Sequence, residues 1–180
     1  MPSFGPISSG PIGSLPEEFS AKFDLGDHNA SDSIIKVVTF FDRALIENLR
    51  QFPDNLRVID RRQFEHLIAE LFSGFGYEVE LTRRTRDGGK DIVAIRRKEV
   101  SVRYLIECKR PDPGKHVAVS AVRELMGVKN DEGATKAILA TTTYFSPEAK
   151  LFSDRHQWEL ELKDFEAIKE WIAMYLGSSK

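Results

Sequence analysis

Two acidic residues and one lysine stand at positions from which they could act together on one bond. Glu107 and Lys109 are two residues apart in an apolar run, and a β-strand would point both side chains to the same face. Asp91 opens the preceding apolar run, directly after a glycine-containing turn. If the two runs pair as a hairpin, Asp91 lies beside Glu107 at one end of a sheet. Adjacent carboxylates repel each other unless a cation lies between them, and hard oxygen ligands suit Mg²⁺.

The chemistry that suits this set of residues is phosphodiester hydrolysis. A metal ion there would lower the pKa of a bound water and neutralise the charge that grows on phosphorus. Lys109 is placed to orient that water or to stabilise the transition state as a point charge. Glu65, at the border of the apolar face of a predicted helix, is expected to reach the same end of the sheet. We predict four catalytic residues, Asp91, Glu107, Lys109 and Glu65, with the three acids as ligands of Mg²⁺ or, as a substitute, Mn²⁺.

Each of these residues also has an ordinary explanation. A Glu-x-Lys pair on a strand is most often a solvated ion pair, Asp91 fits a turn, and most glutamates such as Glu65 lie on helix surfaces. The combination favours chemistry, because Glu107 and Lys109 interrupt a strand that is otherwise apolar. Charged residues in such a strand need compensation.

Basic residues gather around these acids, although the chain as a whole is slightly acidic. The formal net charge is −2, whereas residues 83–115 contain eleven Lys/Arg and five Asp/Glu. Such a local excess suits a polyanionic substrate that is held through its phosphates. The basic residues nearest the acids are predicted to contact DNA: Arg83, Arg84, Arg86, Lys90, Arg110 and Lys115. The basic run at 96–98 is expected only to keep a hairpin end soluble.

The elements that position these residues follow from capping and periodicity. Asp60 and Gln63 have capping-box spacing, and apolar residues then recur at i, i+3, i+4, i+7 and i+8 along a helix. Strands are predicted over 77–82, 91–96, 103–109, 136–142 and 158–162, and further helices over 117–128, 147–152 and 164–175. This order, with an α-β-β-β-α-β core, predicts an α/β sheet flanked by helices.

The chain before residue 60 is predicted to be accessory. Residues 1–30 are rich in Gly, Pro and Ser, which is typical of a flexible arm. Residues 31–59 include a predicted helix over 41–51 and are too few to bury their own apolar side chains. We expect this extension to pack on the predicted nuclease domain over 60–176. The alternative is that its apolar residues form the surface of a homodimer: Phe40, Phe41, Leu45, Ile46 and Leu49.

Composition narrows the class of protein further. Apolar residues make up 41% of the chain and charged residues 30%, as in globular proteins with a core. Cys108 is the only cysteine, which excludes a disulfide within the chain and favours a reducing compartment. Neither a membrane-spanning run nor a secretory signal is evident, so we expect a cytoplasmic protein without membrane contact. The scattered histidines are expected at the surface: His28, His66, His116 and His156.

The ordered series of motifs resembles the catalytic domain of the Mrr family of type IV restriction endonucleases, over about residues 60–176. The motifs are Phe64-Glu65, Gly76-Tyr77, Asp87-Gly88-Gly89-Lys90-Asp91, Glu107-Cys108-Lys109-Arg110, Val122-Arg123-Glu124-Leu125 and Thr141-Thr142-Thr143-Tyr144-Phe145. The resemblance implies the PD-(D/E)xK fold, a mixed sheet flanked by helices, and Mg²⁺-dependent cleavage of DNA, with a family preference for modified DNA. It makes Asp91 and Glu107 metal ligands, Lys109 the catalytic lysine and Glu65 the helix acid.

The sequence departs from that family pattern at three points. Lys90 stands where proline is common, and Glu107 stands where many relatives carry Gln, a weaker metal ligand. Residues 1–59 are too short and irregular to be the separate DNA-recognition domain of the family, which weakens the expectation of a modified-base preference. Two alternatives stay open: a repair or junction nuclease of the same fold, and a non-catalytic DNA-binding module. The intact set of acids and lysine disfavours the second.

Overall fold

A five-stranded mixed sheet organises the protein in a computed structural model that describes residues 43–82 and 89–177. Its strands follow the chain order across the sheet: β1 Glu78–Leu81, β2 Ile92–Arg96, β3 Val102–Lys109, β4 Lys136–Thr141 and β5 Leu160–Lys163. The first three strands form an antiparallel meander, and β3, β4 and β5 run parallel. The predicted α/β fold with a mixed sheet is confirmed.

Helices cover both faces of this sheet. They are α1 Arg43–Gln51, α2 Arg61–Gly74, α3 Val119–Asp131, α4 Pro147–Arg155 and α5 Phe165–Gly177, with a 3-10 turn at Pro53–Arg57. Successive strand residues point to opposite faces, so alternate residues of β4 and β5 pack under α3 and α4 in one core cluster. Helices α2 and α5 contact each other and the sheet from the other side.

The start of α2 is fixed by the predicted capping box. The Asp60 side chain accepts from the Gln63 backbone N–H at 2.8 Å, and the Gln63 side chain accepts from the Asp60 backbone N–H at 2.8 Å. These bonds satisfy two N–H groups that a helix start otherwise leaves free. Every residue from Gln63 to Phe72 is buried, and α2 contacts the first three strands of the sheet and α5.

The burial of α2 corrects the expectation that its histidine lies at the surface. His66 is only 3% exposed, because both sides of α2 are covered rather than one apolar stripe. Burial lowers the pKa of His66 to about 4, and the positive charge of Arg62 acts in the same direction. The imidazole is therefore neutral at pH 7. Glu70 is buried as well, and its carboxylate accepts a hydrogen bond from the Tyr175 hydroxyl at 2.8 Å.

Helix α1 packs against α5, the last helix described. Ile46 and Leu49 are fully buried, and Arg43 donates to the Leu176 carbonyl at 3.2 Å. These two apolar residues are therefore not available for a dimer surface. Phe40, Phe41 and the predicted arm over 1–30 lie outside the described residues. Within the described ranges, no helix has the length and apolar character needed to cross a membrane.

Element bounds differ from the predicted ones at a few places. Most strands begin or end within two residues of expectation, whereas α4 continues to Arg155 and the 3-10 turn at Pro53–Arg57 was not predicted. Trp158, expected in the last strand, lies before β5 and is 83% exposed.

Leu49→Ala should destabilise the protein strongly, because it leaves a cavity between α1 and the rest of the domain. Truncation of a fully buried leucine costs about 2–5 kcal/mol of unfolding free energy. Leu151→Ala, at a leucine that is 62% exposed on α4, is the matched control and should stay within about 0.5 kcal/mol. Denaturant unfolding monitored by circular dichroism measures both. A loss for Leu49→Ala as small as the control would show that α1 is only loosely attached.

Candidate active site

The β2–β3 pairing brings Asp91 and Glu107 together. The antiparallel register pairs Ile92 with Ile106, and the Asp91 backbone N–H continues it by donating to the Ile106 carbonyl at 2.9 Å. Asp91 therefore lies opposite Glu107, as the predicted hairpin requires. The two side chains are 4% and 5% exposed. The Cys108 backbone N–H donates to Asp91 Oδ2 at 2.7 Å, which fixes the orientation of that carboxylate.

A guanidinium group joins Asp91 to the acid on α2. Arg61 Nη2 lies 3.0 Å from Asp91 Oδ1, and Arg61 Nε lies 3.0 Å from Glu65 Oε1. The other Glu65 oxygen accepts from Arg62 Nη1 at 2.7 Å. Partial burial works against the Arg61 charge, but Asp91 and Glu65 together raise its pKa above the ordinary value. Glu65 thus reaches the end of the sheet, with both oxygens already bound by arginines.

Among the three acids, Glu107 has the carboxylate whose negative charge is least compensated by neighbouring groups. Its Oε1 lies 2.5 Å from Lys109 Nζ, whereas its Oε2 is buried and has no hydrogen-bond partner among the described residues. Burial raises the pKa of Glu107 against the opposing effect of Lys109, and the negative charges of Asp91 and Glu124 raise it further. A cation at this oxygen would relieve both the burial and the repulsion.

A divalent ion fits the two acids that lie side by side. Mg²⁺ is commonly held by one or two carboxylates together with waters and substrate phosphate oxygens, and not by a cage of protein ligands. Asp91 and Glu107 offer that set, with the buried Glu107 Oε2 as the oxygen in need of a cation. In the described part of the chain, no group of three or more His, Cys, Asp or Glu is arranged to hold a metal. The fit therefore rests on two carboxylates.

The predicted DNA contacts have different surroundings. Lys90 forms an ion pair with Glu132, which also binds Arg103. This ion pair connects the residues just before β2 to the end of α3. Arg110 is exposed and donates to the Arg57 carbonyl at 3.1 Å. Lys115 is exposed and lies 2.7 Å from Asp112. Three of the predicted contacts lie outside the described residues: Arg83, Arg84 and Arg86.

Sequence reasoning missed the arginines at the start of α2. Arg61 and Arg62 stand four and three residues before Glu65, spacings at which helix side chains meet, so the signal was available. Glu124 on α3 was quoted only as part of a motif, yet its charge acts on Glu107. Cys108 is fully buried, which confirms that it is a core thiol, and burial raises its pKa well above the ordinary value.

Sequence comparison identifies the family. The Mrr_cat family, described as restriction endonuclease, matches residues 56–172. The uncharacterized protein y4cE of Sinorhizobium fredii (strain NBRC 101917 / NGR234) is 31% identical over 100 residues, which are 54% of this chain and 25% of that protein. The chain therefore spans about a quarter of the length of this relative.

Solved structures share the fold. The DNA modification-dependent restriction endonuclease AspBHI aligns with a TM-score of 0.51 and 20% identity, over 94% of this chain and 50% of that one. Restriction endonuclease FokI aligns with a TM-score of 0.52 and 12% identity, over 79% of this chain and 29% of that one. The family match covers the sheet and all three acids, which confirms the resemblance drawn from the motifs. The chain therefore belongs to the Mrr_cat family of restriction endonucleases, whose family model matches residues 56–172.

Proposed function

We propose that this chain hydrolyses DNA phosphodiester bonds with Mg²⁺, or Mn²⁺ as a substitute, at Asp91, Glu107 and Lys109. One observation carries the proposal. Among the described residues, Glu107 Oε2 is buried without a hydrogen-bond partner, on a residue that lies opposite Asp91, and Lys109 Nζ lies 2.5 Å from the other Glu107 oxygen. Buried acids whose pKa is shifted and whose charge is only partly paired with a cation are typical of catalytic sites. Stability alone does not favour such acids.

Each residue has a distinct part in this proposal. Asp91 Oδ1 and Glu107 Oε2 are the oxygens that would hold the ion, and the Cys108 N–H keeps Asp91 in place. An ion bound there would supply an activated water and would neutralise charge on the phosphate. Lys109, anchored by Glu107 Oε1, orients the attacking water and stabilises negative charge on the reacting phosphate as a fixed point charge.

The sequence predicted that Glu65 is a metal ligand, and we propose a different role for it. Both of its oxygens are occupied by Arg61 and Arg62, at 3.0 and 2.7 Å, so direct ligation requires displacement of arginines. We assign Glu65 as a positioning residue. It holds Arg61 against Asp91, and so supplies a cation to this acid when no metal ion is bound.

The protein belongs, in this proposal, to a cytoplasmic system that restricts foreign or modified DNA. The single cysteine fits a reducing compartment. AspBHI is described as DNA modification-dependent, which makes paired digests of modified and unmodified DNA the informative comparison for this chain.

The proposed domains are an arm over 1–30, an extension over 31–59 that packs on the core, and the nuclease over 60–176. A homodimer on DNA would place two clefts on opposite strands, since one cleft cuts one strand.

Asp91→Asn and Lys109→Met should each abolish cleavage of supercoiled plasmid in Mg²⁺ while the protein stays folded. Loss of a ligand or of the stabilising charge should cost at least about 100-fold in rate. Asp112→Asn and Lys98→Met remove exposed charges of the same types and should cut like the wild type. EDTA should stop all cleavage. Wild-type rates for Asp91→Asn would disprove the assignment of the site.

The products of the same assay separate the alternatives. A non-catalytic DNA-binding module would shift plasmid on a gel but leave it uncut in Mg²⁺ and in Mn²⁺. A junction or repair nuclease would prefer branched or gapped duplexes to linear duplex of the same length. Nicked circles without linear product would indicate a single cleft, whereas direct linearisation would indicate two clefts that act together.

Arg61→Ala should tighten the binding of Mn²⁺ to the metal-free protein. The guanidinium lies on Asp91 Oδ1 and must leave before an ion takes that oxygen. Breaking this half-exposed ion pair costs up to about 1 kcal/mol, so removal of Arg61 should lower the dissociation constant about three- to fivefold. Calorimetric titration measures it, with Arg97→Ala, which loses only the exposed pair with Glu78, as the matched control. Weaker binding by Arg61→Ala would show instead that Arg61 preassembles the acids.

DNA binding should be salt-sensitive, and only the exposed cations should contribute. In EDTA, log affinity for duplex should fall with log salt at a slope of about −0.9 per phosphate contact. Arg110→Gln and Lys115→Gln should each reduce the slope by about one unit. Lys90→Gln should leave it unchanged and reduce stability, because Lys90 is paired with Glu132. Fluorescence anisotropy at several salt concentrations measures the slopes, and a salt-independent affinity would contradict the proposed contacts.

A further inference from the structure

A pocket lies away from the acids, where β3 and β4 begin. It has a volume of about 470 Å³, within the range of small-molecule sites. Tyr104 and Lys136 line it from these strands, and the C-terminal parts of α2 and α5 form its walls. The acids lie where the same strands end. At about 3.3 Å per strand residue, the five steps from Tyr104 to Lys109 span about 16 Å, so the two sites are separate.

Aromatic rings form much of the pocket wall. Phe72 lies edge-on to Trp171 with ring centroids 5.2 Å apart, and Tyr77 is tilted against Tyr104 at 5.4 Å. Phe75 completes the set, with its centroid 6.4 Å from that of Trp171. Four of these five rings are only half-buried, all but Phe72. Partly exposed rings that converge on one concave space suit a flat, apolar ring system.

Cations stand among these rings. Arg96 lies over the Tyr77 ring at 4.7 Å, and Lys163 lies over the Trp171 ring at 5.3 Å. Lys136 and Lys163 share a single carboxylate, Glu161, at 3.3 and 3.5 Å. Among the described residues that line the pocket, three cations therefore face one acid. The excess of two positive charges suits an anionic ligand.

We propose that this pocket binds a nucleotide, with its base against the aromatic rings and its phosphate on Arg96 and Lys136. A nucleotide is the ligand chemistry that combines a flat ring system with an anion, and stacking on aromatic side chains accepts any base. Two sources share this chemistry: a free deoxynucleoside monophosphate and an unpaired nucleotide of a DNA strand. The inference goes beyond the nuclease reaction and does not depend on the acids or on a metal ion.

Trp171 is a built-in reporter for this site. The chain has two tryptophans, and the other, Trp158, is 83% exposed and lines no part of the pocket. Trp158→Phe therefore leaves one tryptophan, at the pocket wall. Titration of this protein in EDTA with deoxynucleoside monophosphates should quench its fluorescence along a saturable curve. Inorganic phosphate alone should leave the fluorescence unchanged, because it cannot stack.

Charge variants test whether the pocket is the site. Arg96→Gln and Lys136→Gln, each in the Trp158→Phe protein, should weaken nucleotide binding about tenfold, the effect of one lost charge-assisted contact. Lys98→Gln removes an exposed cation two residues from Arg96 and should bind like its parent. All three variants should keep the nuclease activity, since none touches the acids. Circular dichroism checks that each is folded.

The source of the ligand follows from a second titration. Binding of single-stranded oligonucleotide but not of monophosphate would identify a DNA strand as the ligand, and binding of monophosphate with equal affinity would identify the free nucleotide. As a readout independent of the reporter, nucleotide should raise the melting temperature of the wild-type protein. Absence of saturation with both ligands, or equal weakening by Lys98→Gln and Arg96→Gln, would overturn the proposal.

Discussion

Three buried carboxylates at one end of the sheet are the constraint on which the rest of the structure depends. Glu65, Asp91 and Glu107 are each 5% exposed or less. Burial of a charge is costly unless it is paired and hydrogen-bonded. Arg61 and the Cys108 N–H satisfy Asp91, two arginines satisfy Glu65, and Glu107 keeps one oxygen without a partner in the described part of the chain. The fold therefore retains charge that stability alone would not favour, in the place where the proposed metal ion would offset it.

Backbone register decides whether these acids meet. In β3, side chains alternate between the two faces of the sheet, so a slip of one residue against β2 would move Cys108 or Ile106 into the place of Glu107. The Cys108 N–H also marks the register, because it bonds to the Asp91 side chain at 2.7 Å. On α2, the Asp60–Gln63 capping box has a similar role. It fixes the first turn, and with it the spacing by which Arg61 reaches Glu65.

Local pattern made the larger part of this structure predictable. Alternation and helical spacing indicated the strands and helices in their order, and the two-residue spacing of Glu107 and Lys109 placed both near Asp91. The burial and the ion pairs that depend on tertiary packing were not predictable. The burial of His66 and Glu70 follows from coverage of α2 on two sides, which a single apolar stripe does not reveal. The DNA contact predicted for Lys90 stays a prediction, but its ion pair with Glu132 at the end of α3 was not visible in the sequence.

Because α2 is covered on both sides, this one helix contributes residues to two chemically different sites, the acids and the aromatic pocket. Its N-terminal part carries Arg61 and Glu65 at the acids, and Phe72 near its end and Phe75 directly after it line the aromatic pocket. Between these ends, His66 is held neutral by burial, and the Glu70 carboxylate accepts a hydrogen bond from the Tyr175 hydroxyl. The buried middle of α2 thus packs closely in the core and connects the two sites.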